Sequence, residues 1–340
     1  MKDMNLPTLV GKEKSELLEL LLQEEYGYLP PASRNVRVEV LKTDEKFCAG
    51  KAILQKLALT CDAPLGEFTF PVYAVCPKDN GTKRPAFIHI NFRDDIPDRY
   101  QPTEELVDRG FAVYTVCYKD VSSDDGDFTS GLAGKVYENG KRPANGCGKI
   151  GLWAWAAMAV MDYAQTLDEL DKSKISVIGH SRLGKTALLA GALDERFYCA
   201  FSNNSGCSGA AISREKDGET IADIVQRFPF WFCENYYKYV NNESSLPFDQ
   251  HWLIAANVPH KVYVASAEGD IWAGPKNEYL ACTLADEYYK SKGSSGFVHP
   301  DRLPNTGECF HDGDIGYHIR AGLHYLGRED WGYFFRFLNS

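Results

Sequence analysis

The sequence predicts an α/β fold, in which a mixed and mostly parallel sheet carries helices on both faces. Two observations lead to this prediction. Segments between residues 36 and 76 alternate apolar and polar residues, as half-exposed antiparallel strands do. From residue 85 onward, short continuous apolar runs alternate with helical segments, which is typical of strands covered on both faces. We expect residues 1–340 to form one domain of this kind.

The first third of the chain is expected to contain one helix and three strands. Residues 13–26 have the apolar spacing of an amphipathic helix. Residues 36–42, 51–60 and 67–76 are the alternating segments, and we predict that they pair in antiparallel fashion.

The rest of the chain alternates strands with helices, and a polar loop is expected at residues 119–134. The predicted strands are 85–92, 111–118, 175–180, 199–206, 261–270 and 313–322. The predicted helices are 105–110, 148–167, 184–194, 275–293 and 328–339.

Residues 207–258 interrupt this alternation. They include the aromatic stretch "RFPFWFCENYYKYV", which we predict to be helical. An insertion of this length between two core strands commonly forms a lid or a wall of the substrate site. Ordinary additional packing is the alternative.

Charge and hydropathy limit the class of partner. The formal net charge is −10 and the isoelectric point is about 5.4, which argues against nucleic acid or an anionic membrane as the main partner. The N-terminal run "LLELLL" is too short and too closely flanked by Glu and Lys for a secretory leader, and no stretch has the length of a membrane span. We therefore expect a cytoplasmic protein, unless the chain has lost a leader.

The ten cysteines are scattered and form no C-x-x-C pair. A zinc ribbon or a thioredoxin-type motif is therefore not expected. We expect reduced, mostly buried side chains and no metal site.

The segment "VIGHSRLGKTALL", residues 177–189, fits two unrelated motifs. Gly179, Gly184, Lys185 and Thr186 match the phosphate-binding P-loop. The same residues also form the order strand, G-x-S, helix, which is the nucleophile elbow of an α/β-hydrolase and would present Ser181.

The surroundings favour the elbow over the P-loop. The four residues between the P-loop glycines include no further glycine, and no strand ending in a Walker B Asp is evident. In α/β-hydrolases the acid and the histidine follow the nucleophile in that order. Asp270 follows the strand "VYVASA" and His324 follows "IGYHIRAG", so the sequence predicts a Ser181–Asp270–His324 triad.

Other titratable residues compete for these roles. Glu268 is the alternative acid and His311, in "GECFHDGD", is the alternative base. His180 is expected to point away from the nucleophile and to be structural, and His318 is expected to be packed within its strand. The "HDGD" segment has the residue types of a metal site, but its spacing matches no ligand motif.

The segment "GHSRLGKTALLAGALDERF" resembles the nucleophile region of the glucuronoyl esterases, carbohydrate esterase family fifteen, and of related bacterial esterases. "SNNSGCSGAA", "AEGDIWAGP" and "IRAGLHYLGREDW" resemble later segments of the same proteins, so the resemblance covers about residues 85–340. It implies that the Arg182 side chain stabilises the oxyanion and that Lys185 contacts the sugar. Trp272, two residues after the acid, is a second candidate for sugar contact, with core packing as its alternative; for Lys185 the alternative is a solvated helix residue.

The chain departs from this family at Asn204. Several members carry a catalytic Glu at this position, immediately before Ser-Gly, and an Asn cannot serve as the acid. This departure favours Asp270 as the acid. Glu219 and Glu234, in the insertion, are further candidates for sugar contacts.

The sequence thus predicts a serine esterase that needs no cofactor and acts on a small carbohydrate ester or oligosaccharide. His324 would be the general base, Asp270 would orient it, and the backbone N–H of Arg182 would bind the oxyanion with a second donor from residues 91–93. Glucuronoyl esters of xylan fragments are the predicted substrates, and acetyl esters are the alternative. A P-loop NTPase and a non-catalytic binding protein with this fold remain as further alternatives.

Overall fold

One mixed sheet runs through the described part of the protein, which is residues 5–33, 35–78 and 81–340 of a computed structural model. The strands are β1 (Val36–Phe47), β2 (Ala52–Ala63), β3 (Gly66–Pro77), β4 (Arg84–Asn91), β5 (Ala112–Cys117), β6 (Leu170–His180), β7 (Cys199–Asn203), β8 (Lys261–Ala267), β9 (Cys309–Phe310) and β10 (Ile315–Arg320). Their order is β1-β2-β3-β5-β4-β6-β7-β8-β10-β9.

The pairing directions agree with the sequence pattern. β1, β2 and β3 pair in antiparallel fashion, as predicted, and each extends beyond its alternating segment. From β5 through β10 the neighbouring strands are parallel, which fits their continuous apolar runs. The short β9 adds an antiparallel edge that the sequence pattern did not predict.

Helices cover both faces of the sheet, as the fold class requires. They are α1 (Lys14–Leu21), α2 (Thr103–Asp108), α3 (Tyr118–Val121), α4 (Gly131–Val136), α5 (Lys149–Ala164), α6 (Arg182–Leu193), α7 (Ile221–Arg227), α8 (His251–Ala255), α9 (Pro275–Ser291) and α10 (Arg328–Leu338). On one face α5, α6 and α9 pack in the larger hydrophobic core, and on the other face α2 and α10 pack in a second one. β4 serves both cores, because Ile88 faces the first and Phe87 the second.

The strand order reverses direction between β4 and β6. The chain moves from β4 to β5 toward one edge, whereas β6, β7 and β8 follow one another toward the other edge. Ligands of open α/β sheets bind at such a switch point, outside the carboxyl ends of the strands. Ser181 follows the last residue of β6 and therefore lies at this position.

Two local predictions were wrong. The aromatic stretch at 227–240 is not an α-helix: α7 ends at Arg227, turns follow, and a 3-10 helix spans Glu234–Tyr239. Pro229 explains the break, because proline disfavours the helical conformation in the residue before it and cannot donate a helical hydrogen bond. The predicted polar loop at 119–134 contains most of α3 and the first residues of α4.

The side chains of the insertion are mostly buried, including Phe232, Tyr236 and Trp252. Much of residues 207–258 is therefore additional core. All ten cysteines are free thiols, and Cys309 is the exposed one. No helix in the described ranges is both long enough and apolar enough to cross a membrane, and residues 1–4 of the inspected N-terminus lie outside those ranges.

Candidate active site

Ser181 occupies a sharp turn between β6 and α6. Its φ of 58° and ψ of −127° lie in a region that residues with a Cβ seldom adopt. The turn is so tight that a Cβ on Gly179 would lie 2.0 Å from the Leu183 carbonyl oxygen. A Cβ on Gly184 would lie 3.1 Å from Ser202 Oγ. The strand–turn–helix geometry of the elbow is confirmed, and the absence of a Cβ at Gly179 and Gly184 relieves crowding around the turn.

The predicted acid and base form a direct contact. Nδ1 of His324, on the loop between β10 and α10, lies 2.6 Å from Oδ2 of Asp270, on the loop after β8. Ser181 and His324 line the same cavity. Glu268, the alternative acid, is exposed, and the carboxylate that His324 meets belongs to Asp270. The structure brings the predicted triad together, and the catalytic roles of its members stay a prediction.

Asp270 is held as a carboxylate. Burial raises its pKa, but hydrogen bonds from His324 and Asn204 outweigh burial and leave the pKa below its ordinary value. Asn204 Nδ2 donates to Asp270 Oδ2 at 2.8 Å. Asn204 therefore supports the acid at the position where several of the resembling esterases carry a Glu.

The other histidines have separate places. His311 contacts the Tyr263 hydroxyl at 2.8 Å and does not line the cavity, so the structure does not bring it together with Ser181. His318 is buried within β10, as predicted. His180 is also buried, and its Nδ1 lies 2.6 Å from Asn203 Oδ1. It does not line the cavity, although its ring centroid lies 4.5 Å from that of His324.

Arg182 is fixed by groups that the sequence did not single out. Its Nη1 forms an ion pair with Asp124. Its guanidinium carbon lies 4.5 Å from the ring centroid of Trp231 and 5.1 Å from that of Phe228, and these two rings are stacked 3.8 Å apart. Trp231 Nε1 also donates to Asp124 Oδ1 at 2.7 Å. The arginine thus has a carboxylate on one side and an aromatic pair on the other.

These groups surround a cavity of about 190 Å³. The lining residues are Ser181, Arg182, Lys185, Asn204, Ser205, Gly206, Glu219, Arg227, Phe228, Trp231, Trp272, Ala273 and His324. Four of them belong to the insertion between residues 219 and 231, so this part of the insertion is a wall of the cavity.

Lys185 is buried, so its solvated alternative was wrong. Its Nζ donates to the carbonyl oxygens of Ser205 and Cys207, the latter at 2.6 Å. Burial lowers the pKa of its ammonium group. An ammonium group has three donors, so one remains for a molecule in the cavity.

Trp272 is 43% exposed, so its core-packing alternative was wrong. Its Nε1 donates to Glu219 Oε1 at 3.2 Å, and the Arg227 guanidinium carbon lies 4.8 Å from its ring centroid. Both Trp272 and Glu219 line the cavity, whereas Glu234 is exposed and does not.

The two expected oxyanion donors differ in their relation to the cavity. Arg182 is the first residue of α6, and the amides of a first helical turn have no partner within the helix. The Phe92 amide, in the other predicted segment, donates to the Asn91 side chain at 2.8 Å. Neither Phe92 nor Arg93 lines the cavity, and a second donor from this segment stays a prediction. Within the described ranges, no group of three or more His, Cys, Asp or Glu residues is placed to hold a metal ion.

Comparisons with known proteins show the family to which this chain belongs. The family model described as glucuronyl esterase, fungi, matches residues 65–293. The chain belongs to the glucuronoyl esterase family. It is 39% identical to carbohydrate esterase MZ0003 of an unknown prokaryotic organism, over 96% of this chain and 83% of that protein. It is 26% identical to the 4-O-methyl-glucuronoyl methylesterase of Podospora anserina, over 82% of this chain but only 56% of that protein.

Solved structures give the same result. A glucuronoyl esterase from Solibacter usitatus superposes with a TM-score of 0.87 at 30% identity, over 97% of this chain and 92% of that one. A promiscuous CE15 esterase from a marine bacterial metagenome gives 0.86 at 29% identity, over 97% and 91%. Because this chain belongs to the glucuronoyl esterase family, it is a carboxylic-ester hydrolase with the α/β-hydrolase fold. The P-loop interpretation was wrong, since the family model, the relatives and the solved structures identify an esterase.

Sequence reasoning missed Asp124 and Trp231 in this esterase site. Asp124 lies in the polar segment after β5, at the carboxyl end of a core strand where functional groups collect. That segment also contains Asp120, Asp125 and Asp127, and the sequence offers no means of choosing among the four.

Proposed function

We propose that this protein hydrolyses glucuronoyl esters of xylan fragments, including 4-O-methyl-glucuronoyl esters, through an acyl-enzyme at Ser181. The observation that carries the proposal is the meeting of Ser181, Arg182 and the Asp270–His324 pair at one cavity, in a member of the glucuronoyl esterase family. The name of the Podospora anserina relative supports the 4-O-methyl-glucuronoyl group as the acyl part.

Acylation begins at Ser181. Asp270 uses Nδ1 of His324, so Nε2 is the nitrogen available to take the serine proton. As Oγ attacks the ester carbonyl carbon, a tetrahedral oxyanion forms. The C–O bond to the alcohol then breaks, and His324 gives its proton to the leaving oxygen.

Deacylation repeats these steps with water. His324 takes a proton from water, the hydroxyl oxygen attacks the acyl carbon, and the bond to Ser181 Oγ breaks as the proton returns to Oγ. The uronic acid is released and the enzyme is restored. Asp270 stays ionised throughout, and its lowered pKa fits that role.

Arg182 would stabilise the oxyanion in two ways. Its amide lies next to the nucleophile, and its guanidinium is fixed by Asp124 and Trp231 before substrate arrives. Donors that need no rearrangement during the reaction are the most effective, and the loss of one costs about 3–4 kcal/mol in other hydrolases.

The sugar would lie against Lys185, Glu219 and Trp272. The remaining Lys185 donor and the Glu219 carboxylate can bond sugar hydroxyls, and the partly exposed Trp272 ring offers a flat apolar surface. Leu323 and Ile271, the chain neighbours of His324 and Asp270, are 67% and 61% exposed, and we assign the alcohol to them. An apolar alcohol therefore fits the outer edge of the site.

The test compares a glucuronate methyl ester with an acetylated xylo-oligosaccharide. We expect the uronate ester to be hydrolysed with the larger kcat/KM, and Ser181→Ala to abolish the reaction. A clear preference for the acetyl substrate would establish the alternative, and hydrolysis of neither would refute the substrate class. Fluorophosphonate labelling followed by peptide mapping should place the label on Ser181. The cytoplasmic location stays a prediction, which cell fractionation would check.

A further inference from the structure

The loop at residues 321–325 carries the predicted base, and all five of its residues are exposed. His324 has a 43% exposed side chain, and Leu323 beside it is also exposed. A base must nevertheless be held within hydrogen-bond reach of the nucleophile. Some buried group must therefore fix this loop.

Arg320, the last residue of β10, meets this requirement. Its side chain is completely buried, and its guanidinium carbon lies 3.7 Å from the ring centroid of Tyr325. Nη1 donates to the carbonyl oxygens of Ala321 at 3.0 Å and Leu323 at 3.3 Å. Nη2 donates to those of Leu323 at 3.3 Å and Tyr325 at 2.5 Å. One guanidinium thus binds the backbone on both sides of His324.

Asp330, in the first turn of α10, fixes Arg320 in turn. Arg320 Nε donates to Asp330 Oδ1 at 2.8 Å, and the Asp330 side chain is also fully buried. Its Oδ2 accepts the amide of Gly327 at 2.7 Å, which joins the end of the loop to the start of the helix. His318 Nε2 also contacts the Asp330 carboxylate and lies 3.0 Å from its Oδ1.

The backbone around Arg320 also holds the loop that carries the acid, Asp270. The Glu268 amide donates to the Arg320 carbonyl at 2.9 Å, and the Gly269 amide donates to the Gly322 carbonyl at 2.9 Å. Asp270 is the next residue. The backbone around Arg320 therefore sets both ends of the 2.6 Å contact between Asp270 and His324.

We propose that Arg320 and Asp330 are positioning residues, which hold His324 in reach of Asp270 and Ser181 through the backbone of the 321–325 loop. This inference rests on the proposed function, in which His324 is the base. Neither residue lines the cavity, so both act on the reaction without touching the substrate.

The proposal predicts a specific kinetic change in Arg320→Lys. A lysine keeps the charge but cannot serve one carboxylate and three carbonyls from a planar fork. Because misplacing a catalytic group by about 1 Å can cost about 100-fold in rate, we expect kcat to fall by about 100-fold while KM changes by less than about threefold. Asp330→Asn should show the same split.

The chain offers a matched control in a second buried arginine. Arg214 forms an ion pair with Asp249 at 3.0 Å and donates to three carbonyl oxygens of the insertion, and both side chains are buried. Those oxygens belong to Ser244, Leu246 and Phe248. Arg214→Lys should therefore lower the melting temperature to a similar extent as Arg320→Lys, but leave kcat within about threefold of wild type.

The experiment measures kcat, KM and melting temperature for these variants, together with the rate of fluorophosphonate labelling of Ser181. Labelling needs an activated serine but no particular natural substrate, so it tests the positioning even if the uronate ester is not hydrolysed. Slow labelling of Arg320→Lys beside normal labelling of Arg214→Lys would support the proposal. Equal labelling of the two at equal loss of melting temperature would overturn it.

A further variant covers the case in which Arg320→Lys fails to fold. In Arg320→Ala, added guanidinium at concentrations below those that denature wild type should restore part of the labelling rate. Absence of restoration in a folded Arg320→Ala protein, with Asp330→Asn as active as wild type, would also overturn the assignment.

Discussion

Individual side chains decide which carboxylate serves the histidine. Asp270 contacts His324, and Asn204 donates to the same carboxylate oxygen. An amide at position 204 can only assist, because it carries no negative charge at any pH. The order of residues along the chain placed the acid after β8 but left Glu268 as an alternative, and the structure gives the contact with His324 to Asp270.

Replacing the acid should remove most of the activity. In Asp270→Asn the amide favours the wrong histidine tautomer and cannot stabilise the imidazolium, so we expect kcat to fall by about 10³–10⁴-fold. Glu268→Gln, two residues away and exposed, should remain within about twofold of wild type. Steady-state kinetics on the uronate ester would check both. A larger loss in Glu268→Gln than in Asp270→Asn would contradict the assignment.

At the scale of whole elements, the insertion forms one wall of the candidate site. Four of its residues between 219 and 231 line the cavity, and later side chains such as Phe232 and Trp252 are buried in the core. The stacked Phe228 and Trp231 rings pack on Arg182, and Trp231 also donates to Asp124.

Two replacements of Trp231 separate the packing of its ring on Arg182 from its hydrogen bond to Asp124. Trp231→Phe keeps a ring beside Arg182 but removes the donor to Asp124, whereas Trp231→Ala removes both. We expect kcat to fall by about 3–10-fold in Trp231→Phe and by about 100-fold in Trp231→Ala. The larger loss is comparable to the loss of one oxyanion donor. Equal activity of the alanine variant and wild type would show that the guanidinium is held without the ring. Circular dichroism should confirm that both variants fold.

Elements differ in how well their sequences predicted them. The strands and long helices followed from periodicity, because each buries one continuous or alternating set of side chains. The stretch around Pro229 was misjudged, because its aromatic residues pack between distant elements and so lack a helical period. Asp124 could not be selected either, since its role depends on a contact with Arg182, 58 residues away.

At the scale of the whole molecule, the N-terminal segment is tied to the insertion through Glu25. This carboxyl is completely buried in the turn after α1, and Gln250 Nε2 donates to both of its oxygens at 3.1 and 3.0 Å. Burial raises its pKa to about 8, although the Gln250 hydrogen bond opposes this. The folded protein therefore favours the protonated carboxyl.

The consequence is a pH-dependent stability. The unfolded chain has a Glu pKa of about 4.3, so folding takes up a proton between that pH and about 8. The stability that Glu25 contributes is complete below about pH 4 and is lost as the pH rises to about 8. Glu25→Gln mimics the protonated form and should raise the melting temperature by about 3–6 °C at pH 8, but little near pH 4.

Thermal melting across this pH range would check the prediction. Glu234→Gln removes an exposed carboxyl from the insertion and is the matched control. Its effect on the melting temperature should be the same at both ends of the pH range. An equal effect of Glu25→Gln at both ends of the pH range would contradict the proposed titration.

The positive φ of Ser181 has a consequence for heat resistance. A residue with a Cβ held in this conformation costs of order 1–3 kcal/mol, and the surrounding fold must supply that energy. Both Ser181→Ala and Ser181→Gly should be inactive, but only glycine relieves the strain. We therefore expect the glycine variant to melt at a higher temperature than the alanine variant, by differential scanning calorimetry. Selection for heat resistance alone would then remove the nucleophile, so the strained serine is retained against stability because the reaction needs it.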